Sequence, residues 1–302
     1  MKIYNNPNLN KEHCYGVIAI GNFDGLHLGH QKVIKEAKRK AKKNKIPFGV
    51  MTFEPVPVMF FNKKIKNHRI NSLEQKKTQL KKLKLDFLII VKFNKNFSTQ
   101  SAEEFIKEII FKKTKCKYLY VSKNFKFGFE RQGNVKTLKK FEKKYNFKNI
   151  VTKPFKKDNK IISSTLLRKK IRLGKINEVN ELLNRNWSIS GKVIKGQRRG
   201  RKIGFPTCNL KLSDYVVPKL GVYAVKVKSK NFYKNGIANI GYRPTFNGQN
   251  LLLETNIFGI NKNLYNKVIS INFKKFIRSE KKFRNLKHLK KQIKIDIKKA
   301  KK

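Results

Sequence analysis

Gly21-Asn22-Phe23-Asp24-Gly25-Leu26-His27-Leu28-Gly29-His30 joins the apolar run Val17–Ile20 to a long basic segment that ends near Asn44. An apolar run of that length reads as a buried strand, and the segment after it as a helix. Glycines at such a junction let the backbone turn tightly and approach a phosphate, while the helix start supplies unpaired N–H groups and positive potential. His27 and His30 lie three residues apart, so on a first helical turn both can face one anion. The whole chain has five histidines, and two are here. Read alone, the segment is also compatible with a helix start that has a capping histidine.

Outward from this junction the pattern repeats. Ile46–Phe53, Leu85–Phe93, Tyr118–Phe125 and Asn149–Phe155 read as further strands, alternating with helix-length basic stretches. That alternation predicts a parallel sheet covered by helices on both faces. Near Trp187 it stops. Ile189–Ile194, Gly221–Lys228, Ile237–Gly241, Leu251–Phe258 and Lys267–Phe273 are closely spaced strand candidates separated by Gly, Pro and Asn turns, which predicts a small antiparallel barrel. Leu286, Leu289 and Ile293 fall at helical spacing, so a final helix is expected to cover one side of it. The expected organisation is therefore α/β plus β, with domains over residues 1–184 and 185–302.

The chain has 302 residues, of which 74 are Lys or Arg and 18 are Asp or Glu, for a formal charge of +56. Such an excess points first to a polyanion partner, because counterion release rewards basic proteins on nucleic acid. The excess is diffuse, however, and Lys far outnumbers Arg in a chain also rich in Asn, Ile and Phe. It is read as compositional, with lysines on solvated positions, rather than as a nucleic-acid footprint. Hydrophobic residues at 39% exclude a disordered chain. The three cysteines, Cys14, Cys116 and Cys208, form no CxxC pair, and no apolar run reaches membrane-spanning length. A reduced, cytoplasmic protein is expected.

The Gly21–His30 segment resembles the HxGH signature of nucleotidyltransferases, in the branch formed by the FMN adenylyltransferase domain of bifunctional riboflavin kinase/FAD synthetases. Thr52-Phe53-Glu54-Pro55 with Pro57, Leu73-Glu74-Gln75-Lys76, Asn124-Phe125-Lys126-Phe127-Gly128, and Ile162-Ser163-Ser164-Thr165 with Arg168 resemble further motifs of that domain in the same order. The last of these, taken alone, is more often simply a helix cap. The resemblance implies a Rossmann-like domain that adenylylates FMN. In it His27 and His30 would bind ATP phosphates, Gly21, Asn22 and Asp24 would line the site, and Asn124 would lie on the flavin side. Arg168 with Ser164 and Thr165 would hold the leaving pyrophosphate.

Gly196, Gly200 and Gly204 lead into Phe205-Pro206-Thr207-Cys208-Asn209. Alone this is equally an ordinary flexible hairpin, although its spaced glycines can fold over a triphosphate and Thr207 and Asn209 offer oxygens to a hard cation. Together the residues resemble the GxxxGxxxGFPTAN signature of riboflavin kinase. Gly221–Val225, Ala238–Gly241 with Arg243-Pro244-Thr245, Leu253-Glu254, and Arg278 with Glu280 and Phe283 extend the match. It implies that Thr207 and Asn209 hold Mg²⁺ with ATP, that Glu254 takes the proton of the riboflavin 5′-hydroxyl, and that Arg278 binds flavin. Riboflavin, FMN and ATP are the implied substrates, with no protein partner.

Four positions depart from the family pattern. Asn256 replaces a frequent His and cannot titrate. Val56 replaces a common His, Ser122 a usual Gly and Asn124 an often acidic residue, near the flavin side of the adenylyltransferase site. Two rival readings remain at this point: a basic nucleic-acid-binding protein, and an adenylyltransferase whose kinase half has decayed.

Overall fold

A computed structural model describes residues 1–196, 199–245, 248–260 and 262–301. For Arg199, Lys202, 243–245 and 248–250 the description is of backbone only, so the side chains of the Arg243-Pro244-Thr245 match lie outside the described residues. The chain divides into two compact units: Met1–Ile65 with Leu73–Ser163, and Lys66–Ser72 with Ser164–Lys302.

The first unit is built on six parallel strands: β1 (Lys2–Tyr4), β2 (Val17–Ile20), β3 (Phe48–Glu54), β4 (Phe87–Lys92), β5 (Tyr118–Ser122) and β6 (Lys148–Thr152). Their order is β1-β4-β3-β2-β5-β6, so the chain runs to one side of β2 and then returns to its other side. A sheet that reverses direction there opens a crevice at the carboxyl end of its central strand. Alternation along β2 sends Val17 and Ala19 to one face and Ile18 and Ile20 to the other. The first face packs on α1 (Leu28–Asn44) through Val33, Ile34, Ala37 and Ala41. The second packs on the helical stretch Phe105–Lys113 through Phe105, Ile106, Ile109 and Ile110. Each fully buried aliphatic residue in these layers contributes about 1.5–3 kcal/mol. A minimal hairpin, β7 (Lys156–Lys157) with β8 (Lys160–Ile161), ends the unit.

The second unit holds β9 (Ser188–Lys192), β10 (Cys208–Lys211), β11 (Gly221–Lys228), β12 (Tyr233–Thr245), β13 (Gly248–Ile257) and β14 (Val268–Arg278). All pairings in the order β10-β13-β12-β11-β14-β9 are antiparallel. A bridge between Ile194 and Asn209 brings the two edges together, so the barrel is nearly closed. The α/β-plus-β expectation and the order of the two folds are as read from sequence. Unanticipated is the segment 66–72, which leaves the first unit and pairs in the second: His68 and Arg69 donate backbone N–H to Asp214 O at 2.8 Å, and Val216 N donates to Arg69 O. Trp187, fully buried and stacked on Phe273 at 4.8 Å, donates its Nε1–H to Ile70 O at 2.9 Å.

The final helix, Leu286–Lys301, covers one side of the barrel as expected, with Leu289 and Ile293 of the expected stripe half-buried against it. Leu286 is 62% exposed, and the one residue of the helix in the buried class is Asp296. A buried carboxylate set among half-buried Leu289, Ile293 and Ile297 marks where the helix meets the barrel.

Candidate active sites

The loop after β2 is tightly determined. Phe23, Gly25 and Leu26 have positive φ, and the Phe23 and Leu26 side chains are buried beneath the turn. Non-glycine residues pay strain in that region, so packing must fix them there. Gly21 N donates to Met51 O, and the Asn22 carbonyl accepts from both Lys76 Nζ at 2.8 Å and Thr52 Oγ1 at 3.1 Å. Lys76 is itself fully buried, and its ammonium also reaches Thr52 Oγ1 at 3.2 Å. The sequence reading had Lys76 only as part of a motif. Its place as the pin beneath the loop was not visible there, because a buried lysine cannot be told from a solvated one in a chain this rich in lysine.

His27 caps α1. Its Nδ1 accepts from His30 N at 3.3 Å, which places the neutral ring's proton on Nε2 and leaves that N–H as a donor. The His27 and His30 rings stack at 3.6 Å with 21° between planes, and Phe23 meets His30 edge-on at 5.3 Å. A Cβ on Gly29 would sit 3.1 Å from two atoms of the His27 ring and 3.4 Å from Ile162 O, so a glycine leaves room for that ring. Asp24 is buried beside these groups in the same turn. Gly21, Asn22, Asp24, His27 and His30 are thus brought together at the carboxyl end of β2.

The other expected residues of this reaction are distributed more widely. Asn124 is exposed in the turn after β5. Ser164 and Thr165 open the helix Ser164–Arg172, which belongs to the second unit, and buried Arg168 donates Nε–H to His68 O at 2.8 Å. A feature missed in the sequence is an aromatic shelf at the ends of β3 and β4. Phe60, Phe61 and Phe93 meet at 5.3–5.6 Å, Phe53 and Phe97 extend the group, and Phe61 is 67% exposed. Its signal was the phenylalanine doublet after Pro57, together with Phe93 and Phe97 four residues apart.

In the second unit Asn209 and Glu254, two of the residues expected for phosphoryl transfer, fall on one row across the barrel. Asn209 pairs with Glu254, and Glu254 with Asn239. Directly opposed residues share a sheet face. A cavity of ≈ 300 Å³ beside this row is lined by Gly196, Thr207, Asn209, Thr255, Ile257 and Tyr265, among others. A Cβ on Gly196 would fall 1.9 Å from Asn209 Nδ2, so only glycine lets the Asn209 amide lie there. Gly200 accepts from Phe205 N at 2.8 Å and Gly204 has φ +89°, which closes the turn before Thr207. Asn256, at the position of the missing His, donates to Pro206 O at 2.7 Å and holds that turn to β13. Cys208 lines the cavity with its thiol pushed up to about 12 by burial. Arg278 ends β14 with its guanidinium joined to Asp296.

Two buried oxygens in this region, Asn209 Oδ1 and Thr255 Oγ1, have no hydrogen-bond partner among the described residues. An orphan amide oxygen at a cavity wall suits a hard cation. Among the described residues there is no group of three or more His, Cys, Asp or Glu that could hold a metal.

Comparison with known proteins separates the candidate readings. A family model described as FAD synthetase matches residues 9–166, and one described as riboflavin kinase matches residues 183–302. The bifunctional riboflavin kinase/FMN adenylyltransferase of Buchnera aphidicola subsp. Schizaphis graminum is 40% identical over 98% of this chain and 96% of its own. The chain belongs to that bifunctional family. Its member from Haemophilus influenzae is 39% identical over 94% of this chain and 92% of its own. A solved structure described as a macrolide-efflux protein of Streptococcus pneumoniae shares the fold, with a TM-score of 0.87 and 28% identity over 99% of this chain and 98% of its own. Among the described residues no helix is long and apolar enough to cross a membrane. Neither the nucleic-acid-binding reading nor the decayed-kinase reading is favoured, since both family models match.

Proposed function

We propose that the family's two activities are carried by the residues brought together in the two sites. The chain phosphorylates riboflavin to FMN with ATP and adenylylates FMN to FAD, with the functional boundary near residue 184. The observation that carries this division is the stacked His27–His30 pair at the carboxyl end of β2 in one unit and the Asn209–Glu254–Asn239 row beside a cavity in the other.

In the adenylylation, the FMN phosphate attacks the α-phosphorus of ATP and pyrophosphate leaves. The nucleophile is already ionised, so no general base is required, and the protein's work is alignment and charge stabilisation. His27, donating from Nε2, and His30, stacked against it, bind phosphate oxygens of ATP, and Gly21, Asn22 and Asp24 line the turn. Arg168, Ser164 and Thr165 take the leaving pyrophosphate, the role the resemblance gives them. The flavin ring lies on the Phe60–Phe61–Phe93 shelf, with Asn124 at its edge.

In the kinase reaction Glu254 accepts the proton of the ribityl 5′-hydroxyl as the γ-phosphoryl group transfers. Thr207 and Asn209 would hold Mg²⁺ carried with ATP, and that ion when bound would neutralise phosphate charge. The glycines at 196, 200 and 204 let the loop lie along the triphosphate. Arg278 faces the flavin. A cytoplasmic location agrees with three free cysteines. Incubating the protein with riboflavin, ATP and Mg²⁺ and separating the flavins by chromatography is expected to yield FMN and then FAD. Absence of both from folded protein would overturn the reading.

A further inference from the structure

A terminal helix normally docks through an apolar stripe. In Leu286–Lys301 the single buried residue is Asp296, 1% exposed, while Leu286 stands in solvent. A buried carboxylate needs partners that satisfy it. Asp296 has them: Arg278 Nε lies 3.0 Å from Oδ1 and 2.9 Å from Oδ2, Arg278 Nη2 is 2.7 Å from Oδ2, and Gln292 Nε2 donates to Oδ1 at 2.9 Å.

The pairing fixes more than the helix. A guanidinium carries five N–H groups in a rigid plane. Asp296 takes the edge made by Nε and Nη2, and one Nη1 hydrogen goes to Ser279 O at 2.9 Å. The Phe283 ring lies against the guanidinium, 5.8 Å from Cζ to ring centroid. The outer Nη edge is left to face away from Asp296, and the Arg278 side chain is 14% exposed where Asp296 is 1% exposed. Plane and direction of the guanidinium are therefore set by Asp296. Two residues on, Glu280 Oε1 accepts from Asn239 Nδ2 at 3.4 Å, and Asn239 is the cross-strand neighbour of Glu254. The strand end that Asp296 anchors thus leads directly into the row that carries the proposed base.

We propose that Asp296 is a positioning residue of the kinase site: it orients Arg278 so that the outer guanidinium edge meets an oxygen of the flavin substrate, and it holds residues 279–283 in register beside Glu254. The inference rests on the reading that Arg278 faces flavin, and the test separates the two.

Full-length protein carrying Asp296→Asn keeps the shape of the side chain and removes its charge. It is expected to raise KM for riboflavin in the kinase reaction by about 10-fold or more, with a smaller change in kcat, since misplacing a substrate-positioning group is costly. Adenylylation of supplied FMN, an activity of the other unit, should stay unchanged. The emission of Trp187, the chain's one tryptophan and a core residue of the second unit, checks that the barrel is folded. Asp296→Glu, which keeps the charge, should recover part of the lost KM. In an Arg278→Ala background Asp296→Asn should add little, because the two substitutions break one interaction. If Arg278→Ala leaves the KM for riboflavin unchanged, the flavin reading of Arg278 fails. If Arg278→Ala raises it and Asp296→Asn does not, or if the two effects simply add, the positioning role of Asp296 fails. An Asp296→Asn protein whose Trp187 emission shows an unfolded barrel would make Asp296 a folding residue and overturn the proposal unless Asp296→Glu is folded and shows the KM shift.

Discussion

The loop after β2 and the loop before β10 are both glycine-bearing turns beside a proposed phosphate site, yet they are held in opposite ways. In the first, the chain satisfies itself: Asn22 O receives two donors, His27 Nδ1 receives a backbone N–H, and Phe23 and Leu26 are buried under the turn. In the second, Asn209 Oδ1 and Thr255 Oγ1 are buried without a donor among the described residues, beside a cavity. Buried polar atoms are costly unless matched. The first loop is a mould set by its own hydrogen bonds, whereas the second has polar groups whose natural match is a ligand.

The sharpest way to break this comparison is to disable one site and watch the other. Glu254→Gln should lower FMN formation by about 10²–10⁴-fold, the usual range for a general base, while supplied FMN is still converted to FAD. Equal loss of both activities would break the picture of two separable sites. His30→Ala should do the converse and accumulate FMN, with FAD formation down by about 10²–10³-fold as for a lost charge-stabilising donor. Gly196→Ala sharpens the contrast between the loops. Its Cβ would overlap the Asn209 amide, so the KM for MgATP in the kinase reaction should rise by about 10-fold with adenylylation untouched. An unchanged KM would mean that Asn209 is free to move and is not the cation ligand proposed. The smallest effect concerns the thiols. Burial pushes Cys208 and Cys116 up to about 12, so both remain protonated at pH 8. Alkylation of folded protein followed by mass spectrometry should therefore modify half-buried Cys14 first. Early labelling of Cys208 would show that the cavity wall opens.

The central strands of the parallel sheet were legible because they are continuous apolar stretches buried on both faces, as in Val17–Ile20 and Phe87–Val91. The phosphate loop was legible because glycines and histidines at fixed spacing carry a local mechanism. What stayed hidden depends on partners far along the chain. β1 is three residues, Lys2–Tyr4, that become a strand only by pairing with β4. Residues 66–72 have no periodicity and find their place through Asp214 and Val216. Asp296 stands among lysines on a basic helix, and nothing local announces a guanidinium 18 residues earlier. Lys76 was masked by the same abundance of charge, and the Phe60–Phe61–Phe93 shelf by the spread of its members over two strand ends. The +56 charge, first read as a pointer to a polyanion, gave no hint of the buried contacts that Lys76, Arg168 and Arg278 make.

The passage of residues 66–72 into the second unit means that sequence modules and physical modules are not the same objects. The two family models meet between residues 166 and 183, whereas the barrel also uses a strap that is synthesised about a hundred residues before most of its partners. On the ribosome that strap must wait, with Ile70 O lacking its indole and Arg69 its strand neighbour, until Trp187 and Tyr215 have emerged. A gene fragment beginning at residue 185 would encode the Asn209–Glu254–Asn239 row but not the Lys66–Ser72 segment of its unit. The order of the chain therefore interleaves the two units: residues 66–72 of the second are synthesised between two stretches of the first.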